Sequence, residues 1–456
     1  MDRTKSPIVP TALILLILIN LFNYLDRQVL SAVVPNLKES FFGKDSERSE
    51  FLTQMLLWCQ AHLGFKPENA LIGVLSMAFM VVYMLGAPLF ARLADKHSRW
   101  VLIGIAVALW SVASFASGIA TTFVGLLITR CFVGIGESAY GPVAPSLISD
   151  LYPIKKRSTV LAWFYMAIPV GSALGYILGE FVAKSSIGPW GHSAFGLSPE
   201  SWRWAFYLVM PPGLLLGAWC LWMKDPQVGQ SDGANRMPKR KMAWKEYRVL
   251  LETPSFLYCT FGMAAMTFSI GGIAFWMPYY LEKERQLGGH PVMIFGGITV
   301  IAGLAATLLG GFAGDKLRTR FPGSYFIVSG VAMLLGFPML LLVLQTTNSM
   351  IWVYMFLTCF CLFFNTGPTA TIIANVTHPA MRARAFAVNI FVIHALGDVI
   401  SPLIIGILSD HYQDMGKAFW VVAFMFLVGG VLWLMGARHL EKDTASAAGK
   451  FNFQKT

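Results

Sequence analysis

Apolar residues in this chain do not fall in the short alternating patches of a soluble fold. They form long runs, roughly at 10–34, 70–92, 99–120, 122–148, 158–183, 202–223, 255–281, 291–314, 322–346, 349–376, 384–409 and 416–437. About 20 consecutive apolar residues are what an α-helix needs to cross the ~30 Å hydrocarbon core of a bilayer. The pattern therefore predicts an all-α membrane protein with twelve transmembrane helices. The first run carries Asn20, Asn23, Asp26 and Arg27 and has no small-residue cleavage site, so it reads as the first span and not as a secretory signal.

Composition agrees with the pattern. Of 456 residues, 56% are hydrophobic and 13% charged, where soluble domains carry roughly 25% charged residues. A cytosolic enzyme, a disordered chain and a secreted disulfide scaffold are excluded. The net charge of +11 does not point to nucleic acid. Lys and Arg favour the connections on the side of the termini by about three to one, which predicts both termini in the cytoplasm. A multi-pass protein of the cytoplasmic membrane, in contact with the bilayer and monomeric, is the expectation. There is no Walker-type phosphate loop and no His/Cys cluster with metal spacing, so neither an ATP-driven pump, an enzyme nor a metal site is indicated. No cofactor is expected, and a proton gradient is the candidate energy source.

Two connections are long. Residues 35–69 mix charges with apolar pieces such as Met55-Leu56-Leu57-Trp58, which suggests a short amphipathic helix at the membrane surface. Residues 224–253 contain Lys239-Arg240-Lys241 followed by Trp244 and Tyr247, and fit an interfacial helix near anionic lipid or a plain basic linker. This divides the chain into a first six-helix bundle (1–223), a cytoplasmic linker (224–253), a second six-helix bundle (254–440) and a tail (441–456). The halves also repeat. The turn after the second span carries Asp95, Lys96 and Arg99, and the turn after the eighth carries Asp315, Lys316 and Arg318, the aspartates lying 220 residues apart. Pro153 precedes the fifth span in a basic segment, as Pro379 precedes the eleventh, 226 residues later. Two repeated six-helix bundles form the layout of a transporter with a site near the membrane midplane.

The motifs carry a resemblance. Asp95-Lys96-x-x-Arg99 is similar to the loop motif of the major facilitator superfamily, with Ala91 where glycine is usual, and Arg130-x-x-x-Gly134-x-Gly136 resembles that family's fourth-helix motif, associated with proton coupling. Three segments resemble the Spinster group of lysolipid transporters: Asn23-Tyr24-Leu25-Asp26-Arg27, Gly134-Ile135-Gly136-Glu137 and His394-x-x-Gly397-Asp398-x-x-Ser401-Pro402. The resemblance implies the major facilitator fold and a small lipid-like substrate.

Charges inside spans are costly unless they face a partner or a cavity. At 1.5 Å per residue, Asp26 in the first span and Arg130 in the fourth fall at one depth, and Glu137 shares a helix face with Arg130 about 10 Å further along. Two readings stand. Asp26, Arg27, Arg130 and Glu137 form a proton relay that an anionic substrate engages, or they form a permanent ion network that fixes the first bundle. His394 and Asp398, one turn apart, are either a second protonation site or a structural pair. Asn365 is a polar candidate for substrate contact in the tenth span. Asp95, Lys96, Arg99, Asp315 and Lys316 are candidate gates at helix ends, and Pro169, Gly171, Gly175, Gly397 and Pro402 are candidate hinges, with tight packing as the alternative for the glycines. The expected function is a proton-coupled secondary transporter of amphipathic lysophospholipid or phosphorylated sphingoid substrates. The alternatives are a multidrug or organic-anion carrier and a non-transporting receptor or scaffold.

Overall fold

A computed structural model describes residues 8–43, 50–94, 96–227, 244–378 and 381–447. Asp95, Pro379 and Lys239-Arg240-Lys241, singled out in the sequence, lie outside the described residues. Among those described, twelve helical segments are long and apolar enough to cross a membrane. The described residues of 1–239 and 278–296 cluster as one compact unit, and those of 240–277 and 297–456 as another.

The first unit contains α1 (Ile8–Ala32), α2 (Val34–Phe42), α3 (Glu50–Leu63), α4 (Glu68–Ala94), α5 (Arg99–Ile119), α6 (Phe123–Leu151), α7 (Ile154–Ala183), α8 (Ile187–Phe195) and α9 (Arg203–Leu221). The short helix expected between the first two spans is two helices. Pro35 in the first turn of α2 starts a new helix, because proline fits a first turn but lacks the N–H needed further in. α3 buries Leu52 and Leu56 and exposes Leu57 and Trp58, as an interfacial helix does. α1 lies along α7, α4 along α6, and α5 along α9 and α6. The α1–α7 contact is close at Gly171 and Gly175: a Cβ there would sit 2.3 and 2.4 Å from the carbonyl oxygens of Leu21 and Leu25. These two glycines of the hinge call are therefore packing positions in this structure, which is the alternative reading of their spacing. Pro169 lies inside α7 beside them.

The second part of the chain continues with α10 (Trp244–Leu251), α11 (Pro254–Tyr279), α12 (Pro291–Arg318), α13 (Ser324–Gln345), α14 (Ile351–Phe363), α15 (Thr366–Val376), α16 (Arg382–Leu396), α17 (Ser401–Tyr412), α18 (Met415–Ala418), α19 (Trp420–Gly436) and α20 (Leu440–Ser446). The sequence repeat reappears as a repeat of packing. α13 lies on α19 as α5 lies on α9. Gly310 of α12 abuts the Phe364 backbone after α14, matching α4 on α6. The Trp276 indole of α11 donates to the Pro402 carbonyl of α17 at 2.8 Å, matching α1 on α7.

Three interruptions were not foreseen. The tenth span breaks between α14 and α15, and the eleventh between α16 and α17, starting at Gly397, where a Cβ would meet the Ile393 carbonyl at 2.3 Å and Thr267 at 2.9 Å. α11 contains Pro278 and passes into a π-helical turn, Tyr280–Glu284. The segment 278–296 packs with the first unit. Lys38 of α2 bonds Asn69 at 2.9 Å and the Tyr279 hydroxyl at 3.1 Å. Glu180 of α7, 1% exposed, accepts the Met293 N–H in the first turn of α12 at 2.7 Å and the Lys184 ammonium at 2.6 Å, and Lys184 also donates to the Gly289 carbonyl at 3.0 Å. A carboxylate there satisfies an end-of-helix N–H and meets the positive end of the helix dipole.

Replacing Glu180 with Ala should cost about 1–2 kcal/mol, the scale of a lost N-terminal cap. Amide hydrogen exchange should then accelerate in 287–296 while α5 and α9 exchange unchanged. Unchanged exchange in that segment would mean that Glu180 does not hold it.

Candidate functional site

Four helices of the first unit bring their polar side chains to one place. α1 supplies Tyr24, Asp26 and Arg27, α4 supplies Phe79 and Tyr83, α5 supplies Ser114, and α6 supplies Arg130 and Glu137. The Gly134-x-Gly136 motif makes this possible. A Cβ at Gly134 would lie 2.5 Å from the Phe79 carbonyl on α4, and one at Gly136 2.8 Å from Trp110 on α5. Two glycines on different faces let α6 touch both neighbours, which sets Phe79 beneath the charges.

Arg27 donates from Nε to Glu137 Oε2 at 2.6 Å. Its guanidinium lies 4.8 to 5.1 Å from the ring centres of Tyr24, Phe79 and Tyr83, so aromatic faces stabilise a cation that has left water. Asp26 and Glu137 are both 0% exposed. The Ser114 hydroxyl lies 2.6 and 2.5 Å from the two Asp26 oxygens and donates to the carboxylate.

Arg130 differs from Arg27. It is 1% exposed, and its guanidinium lies 5.4 Å from the Phe79 ring centre. Its Nε and Nη1 have no hydrogen-bond partner among the described residues, and neither do Glu137 Oε1 and Asn23 Nδ2. Each unsatisfied buried group costs about 1–3 kcal/mol, and a charged one more. Beside the Arg27–Glu137 ion pair the cluster therefore holds a second cation, Arg130, whose Nε and Nη1 have no hydrogen-bond partner among the described residues.

This pairing fits a proton relay and a fixed ion network alike. Arg130 and Glu137 do share a face of α6, but Glu137 pairs with Arg27 of α1. Glu137 holds Arg27, and Asp26 accepts the Ser114 hydroxyl while lying in the field of both Arg130 and Arg27. Ser114 was missed, although Ser111, Ser114 and Ser117 recur every three residues in an otherwise apolar span and are all fully buried. Phe79 and Tyr83 gave no sequence signal apart from other apolar residues of α4.

The remaining candidates lie elsewhere. His394 Nδ1 sits 2.8 and 3.0 Å from the Asp398 oxygens, across the break in the eleventh span. Gly397, a hinge call, opens that break, and Pro402 lies in the first turn of α17 beyond it. Asn365 caps α15. Its Nδ2 donates to the Leu362 carbonyl at 2.8 Å, while Oδ1 is buried without a partner among the described residues. Among the gate calls, Lys96 is exposed, Asp315 accepts the Tyr325 hydroxyl at 2.7 Å, and Lys316 lies over the Phe312 ring. Arg99 is buried and tied within the first unit. It pairs with Asp150 of α6, donates from Nε to Asp225 at 3.0 Å and from Nη2 to the Pro226 carbonyl at 2.7 Å, and its backbone N–H reaches Asp225 at 2.6 Å. Asp150 and Asp225, at the ends of two spans, were not among the sequence candidates.

The sequence matches the Major Facilitator Superfamily over residues 16–402. It is 31% identical to protein spinster homolog 1 of Xenopus tropicalis, covering 96% of this chain and 82% of that one. It is 28% identical to the sphingosine-1-phosphate transporter SPNS2 of Danio rerio, covering 99% and 88%. A solved bacterial homolog of the human lysosomal transporter Spinster has a similar fold, with a TM-score of 0.78, 20% identity and 98% of both chains covered.

Arg99→Ala should lower the stability of the purified protein by about 3 kcal/mol, the scale for breaking a buried ion pair from one side. Arg99→Lys should recover only part of it, because an ammonium cannot span two carboxylates and a carbonyl. Thermal melts in detergent check this, and an unchanged melt of Arg99→Ala would remove the anchor.

Proposed function

Because the chain belongs to the major facilitator superfamily and to its Spinster group, we propose that it is a proton-coupled secondary transporter of single-chain phosphorylated lipids. The substrate is a lysophospholipid or a phosphorylated sphingoid base, and transport proceeds by alternating access. The observation that carries this reading is Arg130. A buried guanidinium with free donors is matched by a phosphate head, which accepts two parallel N–H bonds. The relatives that are sphingosine-1-phosphate transporters support the same head group.

Coupling runs through the neighbouring carboxylates. While ionised, Glu137 holds Arg27. Protonation removes the charge that holds it, and Arg27 becomes available to Asp26 or to the substrate. Asp26 is the second proton carrier, and His394 with Asp398 is a further protonation pair. Asp95, Lys96, Asp315 and Lys316 work as gates, Arg99 as an anchor within the first unit, and Pro169, Gly397 and Pro402 as bending points. The protein is a monomer of the cytoplasmic membrane with both termini inside.

Two experiments test this reading. In detergent, sphingosine-1-phosphate or a lysophospholipid should raise the melting temperature more than a quaternary ammonium drug does, and Arg130→Lys should weaken lipid binding about tenfold, the scale of one charge-assisted hydrogen bond. If cationic drugs stabilise the protein and phosphorylated lipids do not, the drug-carrier reading replaces this one. In proteoliposomes, Glu137→Gln and Asp26→Asn should fold normally and lose uptake driven by a pH gradient. Undiminished uptake in both would remove the relay.

A further inference from the structure

A groove of about 320 Å³ runs along the surface of the second unit between α12, α13 and α14. It is lined by Leu317, Val331, Leu335, Phe360, Cys361 and Phe364 among others, and its lining is apolar. It lies apart from the charge cluster on α1, α4, α5 and α6, and the transport reading gives none of its lining residues a role.

Its position along the span gives it a direction. Leu317 stands in the last turn of α12, beside the α12–α13 turn. Leu335 lies eleven residues along α13 from Ser324, or about 16 Å at 1.5 Å per residue. The groove thus starts at one membrane face and ends near mid-depth, about the half-thickness of a ~30 Å hydrocarbon core. It spans one leaflet.

The end at the membrane face is basic. Lys316, Arg318 and Arg320 are exposed there. Arg318 lies over the Tyr325 ring at 5.3 Å, which places its guanidinium at the start of α13. Asp315, the one acidic residue of this turn, accepts the Tyr325 hydroxyl at 2.7 Å. Three cations against one carboxylate leave the turn positive.

We propose that this groove is a binding site for one anionic glycerophospholipid of the adjoining leaflet. An acyl chain lies along Val331, Leu335, Phe360 and Phe364, and the phosphate head rests on Arg318 with Lys316 and Arg320 beside it. The apolar trough sets the chain, and the guanidinium selects an anionic head over a zwitterionic one.

The test is native mass spectrometry of the delipidated full-length protein, titrated separately with phosphatidylglycerol, with phosphatidylcholine of the same chains and with glycerol 3-phosphate. The wild type should retain phosphatidylglycerol about tenfold better than phosphatidylcholine and should not retain the chain-free phosphate. Val331→Trp fills the groove and should reduce both lipids. Leu335→Trp should do the same at the deep end, so a folding defect in either variant leaves the other. Arg318→Gln, at an exposed position, should bring phosphatidylglycerol down to the level of phosphatidylcholine. Arg130→Gln should leave phosphatidylglycerol retention unchanged, which separates this site from the proposed transport site. Equal retention of both lipids by the wild type, retention of glycerol 3-phosphate, full retention by both tryptophan variants, or loss in Arg130→Gln would each overturn the proposal.

Discussion

The constraint on which this molecule depends is a guanidinium–carboxylate pair placed inside a bundle of apolar helices. Arg27 and Glu137 meet at 2.6 Å between the first and fourth spans. Outside water such charges hold their place only with a partner of good geometry. The surroundings provide for this. Three aromatic rings lie about 5 Å from Arg27, and a serine hydroxyl meets the adjacent Asp26. Gly134 and Gly136 bring α4 and α5 close enough to α6 for these contacts. Arg130 sits in the same assembly without equivalent satisfaction. The two arginines differ: Arg27 pairs with Glu137, and Arg130 keeps two donor nitrogens without a hydrogen-bond partner among the described residues.

Around this cluster the bundle is held by interactions of another kind. Arg99 gathers the end of α6 and the segment after α9 through buried charge pairs. Glu180 gathers the first turn of α12 through a backbone N–H and a lysine. Both act at helix ends, where unpaired backbone groups and connecting segments must be satisfied. The middle of the bundle is left to close apolar packing and to the charge cluster.

Much of this was legible in the sequence, because the bilayer imposes a strong length rule on apolar runs and penalises charges within them. Twelve spans and the charged positions Asp26, Arg27, Arg130 and Glu137 followed from those two effects, and the half-chain repeat from the charged turns between spans. The pairing did not. Helix periodicity orders side chains along one helix, but which arginine meets Glu137 depends on how α1 and α6 are rotated. Breaks within spans were also hidden, because the residues around Asn365 and Gly397 remain apolar enough to read as continuous helix. Asp150 and Asp225 escaped for a related reason, since a carboxylate at the end of a span looks like an ordinary loop charge until its arginine is located in space.

The central claim is that binding of a phosphorylated lipid and proton transfer act on the same charges. Adding sphingosine-1-phosphate to the purified protein in weakly buffered detergent, and recording proton uptake or release with a pH electrode, tests it most directly. The account predicts a proton exchange that saturates with binding in the wild type and is absent in Glu137→Gln, although that variant still binds the lipid. Saturable binding to the wild type with no proton exchanged at any pH from 5 to 8, the range in which maximal stability usually lies, would contradict it.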